Sequence, residues 1–259
     1  MAILRLKTSC HFHAYKLLNA ITGVVAEKKC DCISLSGGID TSVVAVAAAT
    51  AGLRPRAYVV AYESGLPKDL YYAEHVSRFL GLELKYVIVD RDKAMNLARK
   101  VTDCFGKENL DSHGDGGCIE MRNDVVFYAV LEETLKDGCS CVFLGSGGDE
   151  LFAGYSFMLE LTSSELEEAI CKMIRGRFPE LQIADCIGAK AVAPLLDERV
   201  VNVATTIPME CLRGIPPRGK EVLRYILEEK GLWEIAERHK APAEEGSGTK
   251  SLCVSIYDR

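Results

Sequence analysis

Two short glycine-rich segments combine residue types that bind phosphate groups and metal ions. The first reads SGGIDTS over residues 36–42, and the second reads GSGGDELFAGY over residues 145–155. Glycines let the backbone approach a phosphate, and the N–H groups at the start of a following helix carry the positive end of its dipole. Asp40 in the first segment would repel a phosphate unless Mg²⁺ lay between them. The first segment therefore predicts a site for a phosphorylated ligand with magnesium.

The elements that position these segments are predicted to be the strands of a parallel β-sheet. Short apolar or β-rich runs alternate with helical patterns, which is typical of βαβ units. The predicted strands are residues 32–36, 56–62, 84–89 and 141–144, and the predicted helices are residues 14–26, 41–51, 70–80, 92–104 and 121–136. Each glycine-rich segment follows a strand, and ligands of open parallel sheets bind at the carboxyl ends of strands.

The second part of the chain has a different pattern, in which only helices are predicted after residue 155. We therefore expect a nucleotide-binding α/β half over residues 1–155 and a helical half over residues 156–259 that closes the active site. No long linker separates the two, so they are expected to form one integrated domain.

Composition excludes several classes of protein. The chain has 259 residues, of which 48% are hydrophobic and 26% are charged, and its net charge is −6. This is the profile of a soluble globular protein and not of a strongly basic nucleic-acid binder. The sequence contains no uninterrupted apolar run of about 18 residues and no signal-peptide pattern at its start. We expect a cytoplasmic protein without membrane contact.

The two segments carry a family resemblance. Neither matches a Walker A loop or a dinucleotide fingerprint, but the order SGGxDxS after a strand resembles the pyrophosphate loop of N-type ATP pyrophosphatases, the PP-loop superfamily. Residues 145–155 resemble the SGEGADELFGGY segment of asparagine synthetases and β-lactam synthetase. The resemblance implies a Rossmann-like fold of the adenine-nucleotide α-hydrolase type. It also implies an ATP-dependent ligase that adenylates a carboxylate and releases pyrophosphate.

Further segments resemble the same family in the same order, so that the likeness covers about residues 14–252. They are YVVAY over residues 58–62, MR over residues 121–122 before a helix, PLLD over residues 194–197, KEVLR over residues 220–224, and HK over residues 239–240 followed by EGSG over residues 245–248. The last of these resembles a glycine-rich loop that closes over ATP.

The resemblance implies roles for particular residues. Asp40 and Asp149 would bind Mg²⁺, and Lys240 would stabilise the adenylate and the charge that develops during acyl transfer. The implied catalytic residues are Lys240, Asp149, Lys220 and Ser146. The implied ATP-binding residues are Leu35, Ser36, Gly37, Gly38, Asp40, Thr41, Ser42, Val60, Tyr62, Arg122, Gly145 and Gly147.

Three departures from the family pattern bear on the acceptor chemistry. No glutaminase domain precedes the first strand, so nitrogen is expected as free ammonia, from a substrate amine or from a separate glutaminase subunit. Ser146 stands where the family has the glutamate of SGEG, and a hydroxyl cannot act as a carboxylate base. The family segment EARxP reads KAVAP over residues 190–194.

Three functions remain open from the sequence. The first is an asparagine synthetase-like ligase that joins a carboxylate, with aspartate as the prototype, to ammonia or an amine. The second is a sulfur or nitrogen transferase acting on tRNA or a carrier, for which Cys104 and Cys118 are the candidate thiols. The third is a nucleotide-binding partner subunit without catalysis, suggested by Ser146. A homodimer is expected by analogy alone.

The chain has eleven cysteines, without the paired CxxC spacing of a zinc site. Cys30, Cys32, Cys139 and Cys141 flank two predicted strands, and we expect mainly buried thiols that act as small apolar side chains. Disulfides, which are typical of intracellular proteins of thermophiles, are the alternative.

Overall fold

The fold is built on a parallel β-sheet. The computed structural model describes residues 2–110, 114, 115 and 117–252, with side chains from residue 9 onward. Five strands lie in these ranges, in the order β3-β2-β1-β4-β5, and every neighbouring pair is parallel. The strands are β1 (Cys32–Ser34), β2 (Arg56–Tyr62), β3 (Leu84–Val89), β4 (Val142–Phe143) and β5 (Ala191–Val192).

Helices connect the strands and contain most of the other residues that the structure describes. They are α1 (Ala2–Lys28), α2 (Ile39–Thr50), α3 (Asp69–Leu80), α4 (Arg91–Phe105), α5 (Cys118–Lys136), α6 (Gly148–Leu151), α7 (Ser163–Met173), α8 (Pro179–Ile187), α9 (Glu198–Ala204), α10 (Met209–Arg213), α11 (Glu221–Glu229), α12 (Trp233–Ala236) and α13 (Ala243–Gly246).

The sheet separates two apolar cores. Ile33 and Val59 face a core that includes α1, α2 and α11, whereas Tyr58 and Val60 face a second core formed with α4, α5 and α8. Both faces of the central strands are therefore buried, which explains why β2 is an almost continuous apolar run.

The order of the strands creates a crevice between β1 and β4. From β1 the chain moves outward to β2 and β3, and it then returns to place β4 on the other side of β1. The connections leave β1 and β4 in opposite directions at this point, so their carboxyl ends are open for a ligand. Both glycine-rich segments begin at these ends.

The predicted fold class is confirmed, with differences in detail. Helix α1 begins at Ala2 and not near residue 14, and Arg122 lies inside α5 and does not precede it. The helical second half contributes one strand, β5, which pairs with β4. Two residues are too few to give a strand pattern in the sequence, and the pairing with β4 alone defines this element.

The expectation of free buried thiols is wrong for most of the cysteines in the described ranges. Four disulfides join Cys10 to Cys211, Cys30 to Cys141, Cys32 to Cys139 and Cys104 to Cys186. Cys118 and Cys171 are free. The remaining cysteine, Cys253, lies outside the described residues. Cys104 therefore cannot supply the thiol that the sulfur-transfer hypothesis assigned to it.

Within the described ranges, the helices are too short or too polar to cross a membrane.

Candidate active site

The two glycine-rich segments lie directly against each other at the carboxyl ends of β1 and β4. A methyl group on Gly145 would lie 2.9 Å from Cγ2 of Thr41, and one on Gly148 would lie 2.1 Å from Cγ of Asp40. Neither position has room for a side chain. The glycines of the second segment thus let the aspartate of the first approach the start of α6.

Helix α2 begins at this crevice without a side-chain cap in the part of the chain that the structure describes. Gly38 is its N-cap residue and has no side chain that could bond to the first turn. Its own N–H donates to Ser36 Oγ at 3.2 Å, and the Ser36 and Thr41 hydroxyls lie 3.2 Å apart. The first turn of α2 is therefore available to an anion, as the sequence predicts.

Four charged side chains form a compact cluster in front of α2. Lys220 Nζ lies 2.6 Å from Asp40 Oδ2 and 2.9 Å from Asp149 Oδ1, and Lys240 Nζ lies 2.8 Å from Asp149 Oδ1. The Lys220 side chain is only 8% exposed. Asp40 Oδ1 is buried without a hydrogen-bond partner in the described part of the chain. The cluster is balanced in formal charge. Asp149 Oδ1 lies at ion-pair distance from both ammonium groups without meeting hydrogen-bond geometry in the described ranges, whereas Asp40 pairs with Lys220 through its other oxygen, Oδ2.

The pKa values of the two carboxyl groups of this cluster are shifted in opposite directions. Burial raises the pKa of Asp40 to about 6, although Lys220 acts against this change. Burial also acts to raise the pKa of Asp149, but the ammonium groups of Lys220 and Lys240 outweigh it and hold that pKa below its ordinary value. Perturbed carboxyl groups in a crevice are typical of functional sites.

The backbone around Lys220 is held in an unusual conformation. Lys220 has φ +56° and Ala153 has φ +53°, in the left-handed region that side chains disfavour. The Lys220 N–H donates to the Phe152 carbonyl at 2.8 Å, which joins Lys220 to the second glycine-rich segment. Gly154 leaves space for the Lys220 side chain, since a methyl group there would lie 2.5 Å from Cε of Lys220. Such strain persists where the surrounding structure fixes a functional group.

Arg238 is a further residue at the site that the sequence-based prediction missed. It forms a buried ion pair with Asp69, and its Nη1 donates to the Ser36 carbonyl at 3.1 Å. Its guanidinium also lies over the Tyr72 ring, 4.1 Å from the ring centre. Arg238 therefore fixes the entry to the first glycine-rich segment. Its position next to His239 and Lys240 was the signal that could have identified it.

The glycine-rich loop of residues 245–248 packs onto the sheet. The Tyr62 N–H donates to the Ser247 carbonyl at 2.9 Å, and Lys68 pairs with Glu245 at 2.9 Å. Arg122 donates from Nε to the Leu252 carbonyl at 2.9 Å. Tyr62 and Arg122 therefore contact the closing segment.

A cavity of about 380 Å³ contains the cluster and extends along α5. Its apolar wall is formed by Val126, Phe127, Val130 and Leu144. The predicted site residues that line it are Ser36, Gly38, Asp40, Thr41, Gly145, Ser146, Gly147, Asp149, Lys220 and Lys240. The predicted residues that do not line it are Leu35, Gly37, Ser42, Val60, Tyr62 and Arg122. Leu35 and Gly37 belong to the turn that follows β1, and Ser42 lies in α2; Leu35 and Ser42 are fully buried.

Glu180 also lines this cavity, and no sequence motif indicates it. It is the second residue of α8, in the half of the chain where the family likeness is loose. Ser146 is buried, and its hydroxyl faces the Glu180 carboxylate without meeting the geometry of a hydrogen bond.

Comparisons with known proteins agree with this geometry. A family model described as asparagine synthase matches residues 23–191. A Methanocaldococcus jannaschii protein named as a glutamine-hydrolysing asparagine synthetase is 30% identical over 264 residues, covering 86% of this chain and 47% of its own length. Asparagine synthetase B of Escherichia coli K12 is 24% identical over 242 residues, covering 83% of this chain and 41% of its own length.

The chain therefore spans less than half the length of these relatives. A solved NMN synthetase from Francisella tularensis matches 91% of this chain and 77% of its own, with a TM-score of 0.52 and 16% sequence identity. That likeness supports the fold alone. The family model and the archaeal relative together show that this chain belongs to the asparagine synthase family.

Proposed function

We propose that this chain is an ATP-dependent ligase that adenylates a carboxylate, releases pyrophosphate and transfers the acyl group to ammonia or an amine. Aspartate is the proposed acceptor. The observation that carries the proposal is the cluster of Asp40, Asp149, Lys220 and Lys240 at the N-terminus of α2. Family membership supports the same conclusion.

The cavity suits ATP as the substrate. The uncapped first turn of α2 and the serine and threonine hydroxyls offer donors to a phosphate chain. The apolar wall along α5, which includes Phe127 and Val130, offers a surface for a flat aromatic base. Both features open into one cavity, so the phosphates and the base can be bound together.

The carboxylates suit Mg²⁺, whose preferred ligands are oxygen atoms. Asp40 Oδ1 is buried without a hydrogen-bond partner among the described residues, and a cation would supply one. Asp149 lies in the same cluster, bridged to Asp40 by Lys220. Gly148 and Gly154 let these two carboxylates lie against the backbone of the second glycine-rich segment, since a methyl group at either position would clash with them. We infer that Asp40 and Asp149 would hold the ion, which would neutralise charge on the phosphates.

The two lysines are positioned to change partners when a phosphate arrives. Both pair with carboxylates that a magnesium ion would otherwise engage. An ammonium group released in this way can contact the charge that develops on the leaving pyrophosphate. Lys220 is held on a strained backbone, whereas Lys240 lies over the Tyr155 ring, with Nζ 3.9 Å from the ring centre. We assign orientation of the phosphates to Lys220 and charge stabilisation during acyl transfer to Lys240.

The nitrogen donor is proposed to be ammonia or a small amine. Relatives named as glutamine-hydrolysing are more than twice as long as the segment they share with this chain. A separate glutaminase subunit is therefore a candidate partner that could deliver ammonia. Addition of ammonium chloride would replace such a subunit in an assay.

Product analysis tests the proposal. The purified chain is incubated with Mg-ATP, ammonium chloride and a panel of carboxylates that begins with L-aspartate, and the products are separated by phosphorus NMR. We expect AMP and pyrophosphate to form only with an accepted acid, and asparagine to form with aspartate. ADP and phosphate would contradict the assignment of the first glycine-rich segment. Bound ATP without turnover over the whole panel would favour a non-catalytic subunit.

A further inference from the structure

The cavity contains a carboxylate that the sequence motif lacks. Ser146 leaves the second glycine-rich segment without the acid that the family pattern has at this position. The structure brings another acid to the same cavity from a different element, because Glu180 lies next to the Ser146 hydroxyl. The carboxylate that the motif lacks at position 146 is thus replaced in the cavity by one that α8 carries.

Several contacts hold in place the helix α8, which carries Glu180. It follows Pro179, which occupies the first position of α8 and fixes the direction in which the helix begins. Arg177 precedes the helix, donates from Nε to Gln182 Oε1 at 2.7 Å and lies over the Phe105 ring, 4.2 Å from its centre. The Cys104–Cys186 disulfide joins the same helix to α4. The carboxylate therefore stands on a braced helix.

The electrostatic surroundings favour a proton or a cation at Glu180. Burial raises the pKa of its carboxyl group, and the negative charge of Asp149 acts in the same direction, whereas the Ser146 hydroxyl moderates the change. Glu150, which accepts a hydrogen bond from Tyr155 at 2.6 Å, adds a further carboxylate to the lining of the cavity. A surrounding of this kind attracts an ammonium ion and disfavours a second anion.

We propose that Glu180 binds the nitrogen nucleophile and accepts its proton, taking the role that position 146 cannot perform. This inference rests on the proposed function, because it concerns the second half of that reaction. Serine has no carboxylate to offer, and Glu180 lies beside it in the cavity that contains the phosphate-binding residues.

The step balances without a further reactant. The nitrogen lone pair attacks the carbonyl carbon of the acyl-adenylate, so that a C–N bond forms. The bond from that carbon to the phosphate-linked oxygen breaks, and its electron pair leaves with AMP. The nitrogen then carries one proton too many, which passes to the Glu180 carboxylate and afterwards to water.

The two half-reactions distinguish this role from a structural one. In Glu180→Gln, we expect L-aspartate-dependent exchange of labelled pyrophosphate into ATP to stay within about threefold of wild type. Amide formation from ammonium chloride should fall about 10²- to 10⁴-fold, the usual contribution of a general base. Asp185→Asn, an exposed acid on the same helix, is the matched control and should change neither rate.

A relocated carboxylate provides a second readout. In Glu180→Ala with Ser146→Glu, the acid returns to the motif position, and we expect part of the amide formation lost in Glu180→Ala to return. Unchanged amide formation in Glu180→Gln would overturn the proposal, as would an equal loss of both half-reactions. A double variant that retains exchange without regaining amide formation would contradict a shared role of the two positions. No exchange in the wild-type chain would overturn the proposed function and this inference with it.

Discussion

The two ends of the parallel sheet both carry clusters of charged side chains, and the clusters differ in construction. At the amino end, Lys85 lies 2.8 Å from Asp137 and 2.9 Å from Glu133, while Arg56 pairs with Glu83 at 3.4 Å. At the carboxyl end, Lys220 lies between Asp40 and Asp149. The Lys85 side chain is 36% exposed and the Lys220 side chain 8%.

The pKa directions show what this difference means. Hydrogen bonds from Lys85 and Tyr58 lower the pKa of Asp137, so its charged form is satisfied at the amino end. Burial raises the pKa of Asp40, and its Oδ1 has no hydrogen-bond partner among the described residues. A high density of charge therefore does not mark a site. At the carboxyl end, an incompletely satisfied carboxyl group coincides with the cavity, and that coincidence marks the candidate site.

The largest contrast is expected from one aspartate at each end. Asp149→Asn removes a proposed magnesium ligand and a partner of both lysines, so AMP formation should fall about 10²- to 10³-fold. Asp137→Asn makes the same chemical change at the amino end and should leave AMP formation unchanged. Initial rates of AMP release under saturating Mg-ATP measure both. Equal losses in the two variants would break the distinction between the ends.

A lysine at each end gives the next contrast. Lys240→Ala removes a cation that faces the developing negative charge, and we expect AMP formation to fall about 10²-fold. Lys85→Ala removes a lysine that pairs with acids at the other end of the sheet. It should keep the wild-type rate in the same assay. Wild-type activity in Lys240→Ala would remove that lysine from the mechanism.

The disulfides at the amino end should affect stability and not turnover. Cys30→Ser with Cys141→Ser opens a link across 111 residues, and the free energy of unfolding should fall by about 2–4 kcal/mol. Cys171→Ser changes an exposed free thiol and is the matched control. Denaturant titration measures stability, and AMP release at 25 °C measures activity. A loss of activity in a folded double variant would connect the two ends functionally.

Opposite pH profiles of stability are expected from two further aspartates. Burial raises the pKa of Asp124, on α5, to about 7. The folded state then binds the proton more tightly than the unfolded state, whose pKa is near 4. Stability should therefore fall as the pH rises from about 4 to about 7. Asp124→Asn should remove this fall and raise Tm at pH 8, with little change at pH 4.

Asp137 predicts the reverse profile. Its pKa is lowered in the folded state, so its contribution is present above the unfolded pKa and is lost as the pH falls through the folded value. Asp137→Asn should lower Tm at neutral pH and have no effect in strong acid. Thermal unfolding of both variants between pH 2 and pH 8 provides the comparison. Profiles of the same sign would contradict the electrostatic account.

The proximity of Asp40 to Asp149 could be predicted from the sequence. Each aspartate belongs to a turn that follows a parallel strand, and the carboxyl ends of parallel strands lie at one edge of the sheet. Lys220 and Lys240 were predicted from short motifs that resemble the family. These residues share local patterns with known chemistry, so their types and spacing were enough to select them.

Glu180 and the disulfides could not be predicted in this way. Glu180 reaches the cavity because α8 packs against α5, and no local pattern near residue 180 reports that packing. The paired cysteines are between 82 and 201 residues apart, and sequence spacing does not determine connectivity over such distances. Tertiary contacts alone bring these groups together.

Exchange of labelled pyrophosphate into ATP tests the central claim most directly. The wild-type chain is incubated with Mg-ATP, labelled pyrophosphate and L-aspartate, without any nitrogen donor. Our account predicts label in ATP that depends on the acid, because adenylation at the carboxyl end of the sheet is reversible before the amine attacks. Label that enters ATP equally without the acid, or ADP as the product, would contradict adenylation of a carboxylate at this site.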